Sequence, residues 1–196
     1  MKIVIASHNK GKLKEFQSIL KGLDVTIVTA MDEGLDLDSF EEVGLTYEEN
    51  AYLKAKYVYE KTGNLSIADD SGIEIHALPD ILGVYSARFM GADTSYDIKN
   101  KRLLEMLEGK DRSATFTSAI SLVGDNTNEM FIGKVEGMIA ESIQGNQGFG
   151  YDPIFIPNGY DETYALMDAE VKNTMSHRAL ALQKFVEYLR GLSHDS

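Results

Sequence analysis

The tightest constraint on the fold is the opening of the chain. An uninterrupted apolar run, Ile3-Val4-Ile5-Ala6, is followed by the polar stretch Ser7 to Gly11 and then by Leu13, Phe16, Ile19 and Leu20 at helical spacing. A strand buried on both faces reads as a continuous apolar run, and a 3.6-residue period marks an amphipathic helix. The chain therefore opens strand, loop, helix, and the alternation continues. Val25 to Thr29 reads as a strand, Thr46 to Lys61 as a helix with Thr46 and Glu49 in capping-box spacing, and Leu65 to Ala68 as a short strand ending in the turn-like Asp69-Asp70-Ser71-Gly72. Ser95 to Leu107 is a further helix; Ala114 to Val123 and Met130 to Ile139 are strands joined through Gly124-Asp125-Asn126, a hairpin signal; Ser176 to about Arg190 closes the chain as a helix. Alternating strands and helices specify an α/β protein.

With 196 residues and no low-complexity linker, the chain is expected to be a single domain, 1–196. Its 31 acidic and 19 basic side chains give a net charge of −12, which excludes a sequence-independent nucleic-acid groove and an anionic membrane surface as partners. The absence of cysteine excludes a disulfide scaffold, a thiolate nucleophile and Cys-ligated zinc, and suits a reducing compartment such as the cytoplasm. No apolar stretch approaches the length of a membrane span.

Four segments carry candidate chemistry. Ser7-His8-Asn9-Lys10-Gly11-Lys12 lies between the first strand and its helix, where free N–H groups, Lys10 and Lys12 can cradle a phosphate or form an ordinary polar loop. In Asp69-Asp70, successive side chains of an extended backbone point to opposite faces, so one carboxylate is expected to be structural and the other to face a ligand cleft. There it can hold Mg²⁺ or take a proton from a water nucleophile. Gly148-Phe149-Gly150-Tyr151-Asp152-Pro153 can bring an aromatic ring and backbone against a flat base. Ser176-His177-Arg178 opens the last helix with cations set against the helix dipole, which suggests a ligand-facing duty for Arg178.

In this order, and with Glu49-Asn50-Ala51 plus Lys54 and Tyr85-Ser86-Ala87-Arg88, the segments resemble the inosine triphosphate pyrophosphatase family from residue 3 to about 182. The resemblance implies a mixed central sheet flanked by helices, with two lobes and an active-site cleft between them. It also implies Mg²⁺-dependent hydrolysis of ITP, dITP or XTP to the monophosphate and pyrophosphate. Carried over, Ser7, His8, Asn9, Lys10, Gly11 and Lys12 grip the triphosphate with Lys54, and Ser71 contacts the substrate. Asp70 is general base and metal carboxylate. Glu41 is a further metal ligand, with adjacent Glu42 as the alternative. Phe149, Gly150, Tyr151, Asp152, Lys172, His177 and Arg178 line the nucleoside pocket. A homodimer is implied. A nucleotide sensor that does no chemistry could dispense with Asp70 and Glu41, and the chain carries both.

Overall fold

The computed structural model describes residues 1–194. One sheet contains β1 (Lys2–Ile5), β2 (Thr26–Thr29), β3 (Ser66–Ile75), β4 (Ser113–Gly124), β5 (Thr127–Ile139) and β6 (Phe155–Pro157), in the order β2-β1-β3-β4-β5-β6. β1 pairs in parallel with β2, Val4 opposite Val28, and with β3, Ile5 opposite Ile67. β5 and β6 pair antiparallel, Met138 opposite Ile156. The mixed α/β architecture expected from the sequence is the one the chain forms.

Two compact units divide the chain. Among the described residues the first comprises Met1–Asp70, Ser118–Gly133 and 178–194. Its logic is set by β1, whose alternate residues serve two cores. Ile3 and Ile5 pack with Phe16 and Leu20 of helix α1 (Lys10–Ile19) and with Leu182 and Phe185 of helix α5 (His177–His194). Val4 and Ala6 pack with Ala55 and Val58 of helix α2 (Tyr47–Thr62). A strand covered on both faces has no polar side to show, which is why its sequence is a plain apolar run.

Helix ends in this unit are fixed locally. Asn9 caps α1 by accepting the Lys12 N–H at 3.0 Å, and Thr46 caps α2 by accepting that of Glu49 at 3.1 Å. Gly63 ends α2 in the left-handed conformation, φ 67°.

The second unit comprises Ser71–Thr117 and Lys134–His177. Its core joins Ile73 and Ile75 of β3, Leu103 of helix α3 (Tyr96–Met106), Phe116 of β4, Phe155 of β6 and Tyr164. Three pieces of it gave no clear sequence signal: a 3-10 turn over Gly83–Arg88, another over Tyr164–Leu166, and the short helix α4 (Ala169–Met175). β3 also departs from expectation. Its strand does not end at Ala68 but continues through Asp69, Asp70, Ser71 and Gly72 to Ile75.

Candidate active site

In the first unit several charged and polar side chains converge on the two adjacent aspartates of β3. Being extended, β3 sends them opposite ways. Asp69 is 2% exposed and surrounded by donors: Arg178 Nε at 3.3 Å and the Ser118 hydroxyl on Oδ1, and Lys12 Nζ at 2.7 Å from Oδ2. Burial alone would raise its carboxyl, but the charges of Arg178 and Lys12 win and hold it far below the ordinary 3.8. Arg178 is itself buried and donates from Nη1 to Glu15 Oε2 at 2.8 Å. Glu15 lies three residues past Lys12 on α1, so one helix face supplies a cation and an anion to a single buried chain of charges, Glu15–Arg178–Asp69–Lys12.

Asp70 has the opposite environment. It is 4% exposed, and its Oδ2 has no hydrogen-bond partner. Burial and the negative charge of Glu42 push its carboxyl up from 3.8 to about 7, against the pull of Lys12 and Lys54. Glu42 pairs with Lys54, whose Nζ also donates to the Asp69 carbonyl at 3.2 Å. A buried carboxylate with an orphaned oxygen, a second carboxylate acting on it and two lysines nearby suits a hard divalent cation, which takes oxygen donors and polyphosphate oxygens together. Asp70 and Glu42 fit that role. Glu41, the expected ligand, is an exposed side chain, so of the two alternatives it is Glu42 whose charge reaches Asp70.

Of the residues expected to grip phosphate, Ser7 accepts the Asn9 N–H at 3.2 Å, Asn9 caps α1, and Lys10 is exposed at the helix start. His8 stands near Asp36 and Asp38, the three offering atoms within 4.8 Å of one another. Its Nε2 accepts the Leu37 N–H at 3.3 Å, which leaves the ring proton on Nδ1, facing Asp38 at 3.6 Å. A ring so protonated has no lone pair to give a metal there.

In the second unit the glycine-rich loop is organised by Asp152. Its Oδ2 accepts the Phe149 N–H at 2.9 Å and Lys172 Nζ at 2.6 Å, and Lys172 lies 5.0 Å from the centre of the Phe149 ring. Asn100 Nδ2 donates to the Gly150 carbonyl at 3.2 Å. Tyr151 is buried, its hydroxyl donating to the Ser86 carbonyl and its ring edge-on to Tyr96 at 5.1 Å. His177 stacks on Phe116, 4.3 Å between centres and 7° between planes.

Several contributors escaped the sequence reading, among them Glu15, Ser118 and Asn100. Ser86, within Tyr85-Ser86-Ala87-Arg88, has a structural task. It accepts the Ile73 N–H at 3.0 Å and so ties the 3-10 turn to β3.

Gly148 is held at φ +69°, and a Cβ there would overlap Asp152 Oδ2. Gly148→Ala is expected to lower the melting temperature by about 2–8 °C, the cost of positive φ plus displacement of the Asp152 contact. An unchanged melt would mean the loop does not depend on that contact.

Comparison with known proteins places these features in context. A model of the Ham1 family matches residues 3–188. A relative from Thermoanaerobacter pseudethanolicus, named dITP/XTP pyrophosphatase, is 42% identical over 192 residues, covering 96% of each chain. One of the same name from Porphyromonas gingivalis is 41% identical over 190 residues, covering 96% of this chain and 97% of its own. Among solved structures, the Staphylococcus aureus Ham1 protein superposes with a TM-score of 0.87 at 39% identity, and a HAM1 protein from Coxiella burnetii with 0.88 at 36%. Each alignment covers 97% of this chain and 99% of the other.

Proposed function

The chain belongs to the Ham1 family, and from that membership we propose that it hydrolyses ITP, dITP and XTP to the monophosphate and pyrophosphate with Mg²⁺. The observation that carries the reading is Asp70, a buried carboxylate with an orphaned oxygen, flanked by Glu42, Lys12 and Lys54. Attack of water on the α-phosphorus forms one P–O bond and breaks the bridge to the β-phosphate, releasing pyrophosphate. Asp70, when ionised, accepts the proton that water gives up.

Lys12, Lys54 and the free N–H groups at the start of α1 meet the charge that builds on the leaving group. Asp70 and Glu42 would hold a divalent ion, which would supply further charge neutralisation of the phosphate oxygens. Ser7, His8, Asn9, Lys10, Gly11 and Ser71 complete the phosphate side of the reading. Phe149 offers a stacking face for the base, with Gly150, Tyr151, Asp152, Lys172 and His177 shaping that loop. Donors that suit a 6-keto oxygen are left unpaired by adenine's amino group, which gives the selectivity its physical basis.

No described helix is long and apolar enough to cross a membrane. A cytoplasmic homodimer working on the free nucleotide pool is the setting we propose.

The test is a panel of purine triphosphates. Pyrophosphate release from ITP, dITP and XTP is expected to exceed that from ATP and GTP by at least about tenfold in kcat/KM, and to stop on chelation of Mg²⁺. Equal rates on all five would overturn the selectivity. Orthophosphate as the product would overturn the choice of bond.

A further inference from the structure

The acidic loop Glu41 to Leu45 approaches Asp70 without an apolar anchor. Val43 is 69% exposed and Leu45 77% exposed, so neither side chain holds the loop by burial. The buried part is Gly44, and what it meets is polar. Its N–H donates to Asn50 Oδ1 at 2.7 Å, and Asn50, on the first turn of α2, is fully buried. A second tie comes from the same turn, the Leu45 N–H donating to Glu49 Oε2 at 3.0 Å.

Asn50 and Lys54 are four residues apart and share a face of α2. One fixes the backbone of the loop at Gly44, and the other holds the Glu42 carboxylate and the Asp69 carbonyl. The fit is close from the glycine side as well: a Cβ on Gly44 would stand 2.6 Å from Asn50 Oδ1 and 3.0 Å from Glu49 Cγ. The Glu42–Lys54 pair holds the loop by a side chain and the buried Gly44 amide holds its backbone; without its acceptor that N–H favours leaving the interior for water, because an unpaired buried N–H costs more than a solvated one.

We propose that Asn50 is a positioning residue for the divalent-ion site, holding the Glu41-Glu42 loop over Asp70 through the Gly44 amide. The proposal rests on the metal reading above and deepens it. Asn50 touches neither substrate nor ion; it acts through the loop. Partners of this outer kind change metal affinity by about 10–100-fold when removed.

The test is Mn²⁺ binding to the nucleotide-free protein, followed by electron paramagnetic resonance, with hydrogen exchange at the Gly44 amide in parallel. Asn50→Ala is expected to weaken Mn²⁺ binding by at least about tenfold and to speed exchange at Gly44. Turnover is expected to recover as Mg²⁺ is raised, a rescue that general loss of structure would not give. Should Asn50→Ala fail to fold, Gly44→Ala strains the same contact from the opposite side and is expected to weaken binding likewise. Where both fold, the double variant is expected to bind no more weakly than either single one, since one contact is lost in all three. Variants that fold and bind Mn²⁺ like the wild type overturn the role of Asn50 alone. A wild type that binds no Mn²⁺ and turns over without any divalent ion overturns the metal reading, and the inference falls with it.

Discussion

Asp70→Asn is expected to lower turnover by at least about 10³-fold and, in the same protein, to raise the melting temperature of the metal-free form at pH 8 by about 3–10 °C. Both effects come from one fact, the burial of a carboxylate that has lost its water and found no donor for Oδ2. The folded carboxyl titrates at about 7 and the unfolded one at 3.8. Between those values the unfolded chain releases its proton first, so raising the pH favours unfolding, and above about 7 the full cost is present.

Asparagine has no such charge to bury. The stabilisation should therefore be seen in EDTA at pH 8, shrink as the pH falls through 7, and vanish below about 3.8. Mg²⁺ should narrow the gap by stabilising the wild type alone. Scanning calorimetry at three pH values, with and without the ion, reads all of this. A melting temperature that falls in the variant at pH 8 would show the carboxylate to be well satisfied without metal, and normal turnover would remove it as the base.

How far the sequence foretold this site differs residue by residue. That Asp69 and Asp70 would have different duties followed from the two-residue period of an extended chain, and their contrasting surroundings agree with it. That the backbone is extended there at all did not follow, because Asp-Asp-Ser-Gly is strong turn chemistry. What overrides it is long-range: Lys12, Ser118 and Arg178 come from positions 57, 49 and 109 residues away from Asp69 to satisfy a buried carboxylate, and no local window contains them.

The opening strand was legible for the converse reason, since burial on both faces is written into four adjacent residues. The 3-10 turn that carries Ser86 and the short helix α4 have too few residues for any period to emerge. Asn50 stood in a motif, yet its duty depends on a loop amide, and a backbone donor leaves no trace in a sequence.

Arg178→Ala is expected to cost stability before it costs selectivity, lowering the melting temperature at pH 8 by about 6–15 °C. From sequence, a cation in the first turn of the last helix is expected to face a ligand, and the family resemblance puts it in the nucleoside pocket. The structure puts its guanidinium 2% exposed, with Nε on Asp69 and Nη1 on Glu15. Removing it takes the guanidinium from two buried carboxylates, Glu15 and Asp69, and leaves Lys12 and the Ser118 hydroxyl on Asp69.

The pH dependence separates this from simple loss of packing. Asp69 is held far below 3.8 in the folded protein, a stabilising contribution present above pH 3.8 and lost as the pH falls through the depressed value. Without Arg178 that contribution shrinks, so the gap between wild type and variant should stay level from pH 8 down to about 4 and close only below the 3.8 of the unfolded carboxyl. Arg178→Lys keeps a charge but cannot reach both carboxylates with a planar fork, and should fall between the two. If Arg178→Ala melts like the wild type while the ratio of ITP to ATP turnover collapses, the guanidinium reads the base and the buried network is incidental. If the melt drops and the ratio holds in the enzyme that remains folded, the residue's work is to hold Asp69, and through it Lys12, in place beside Asp70.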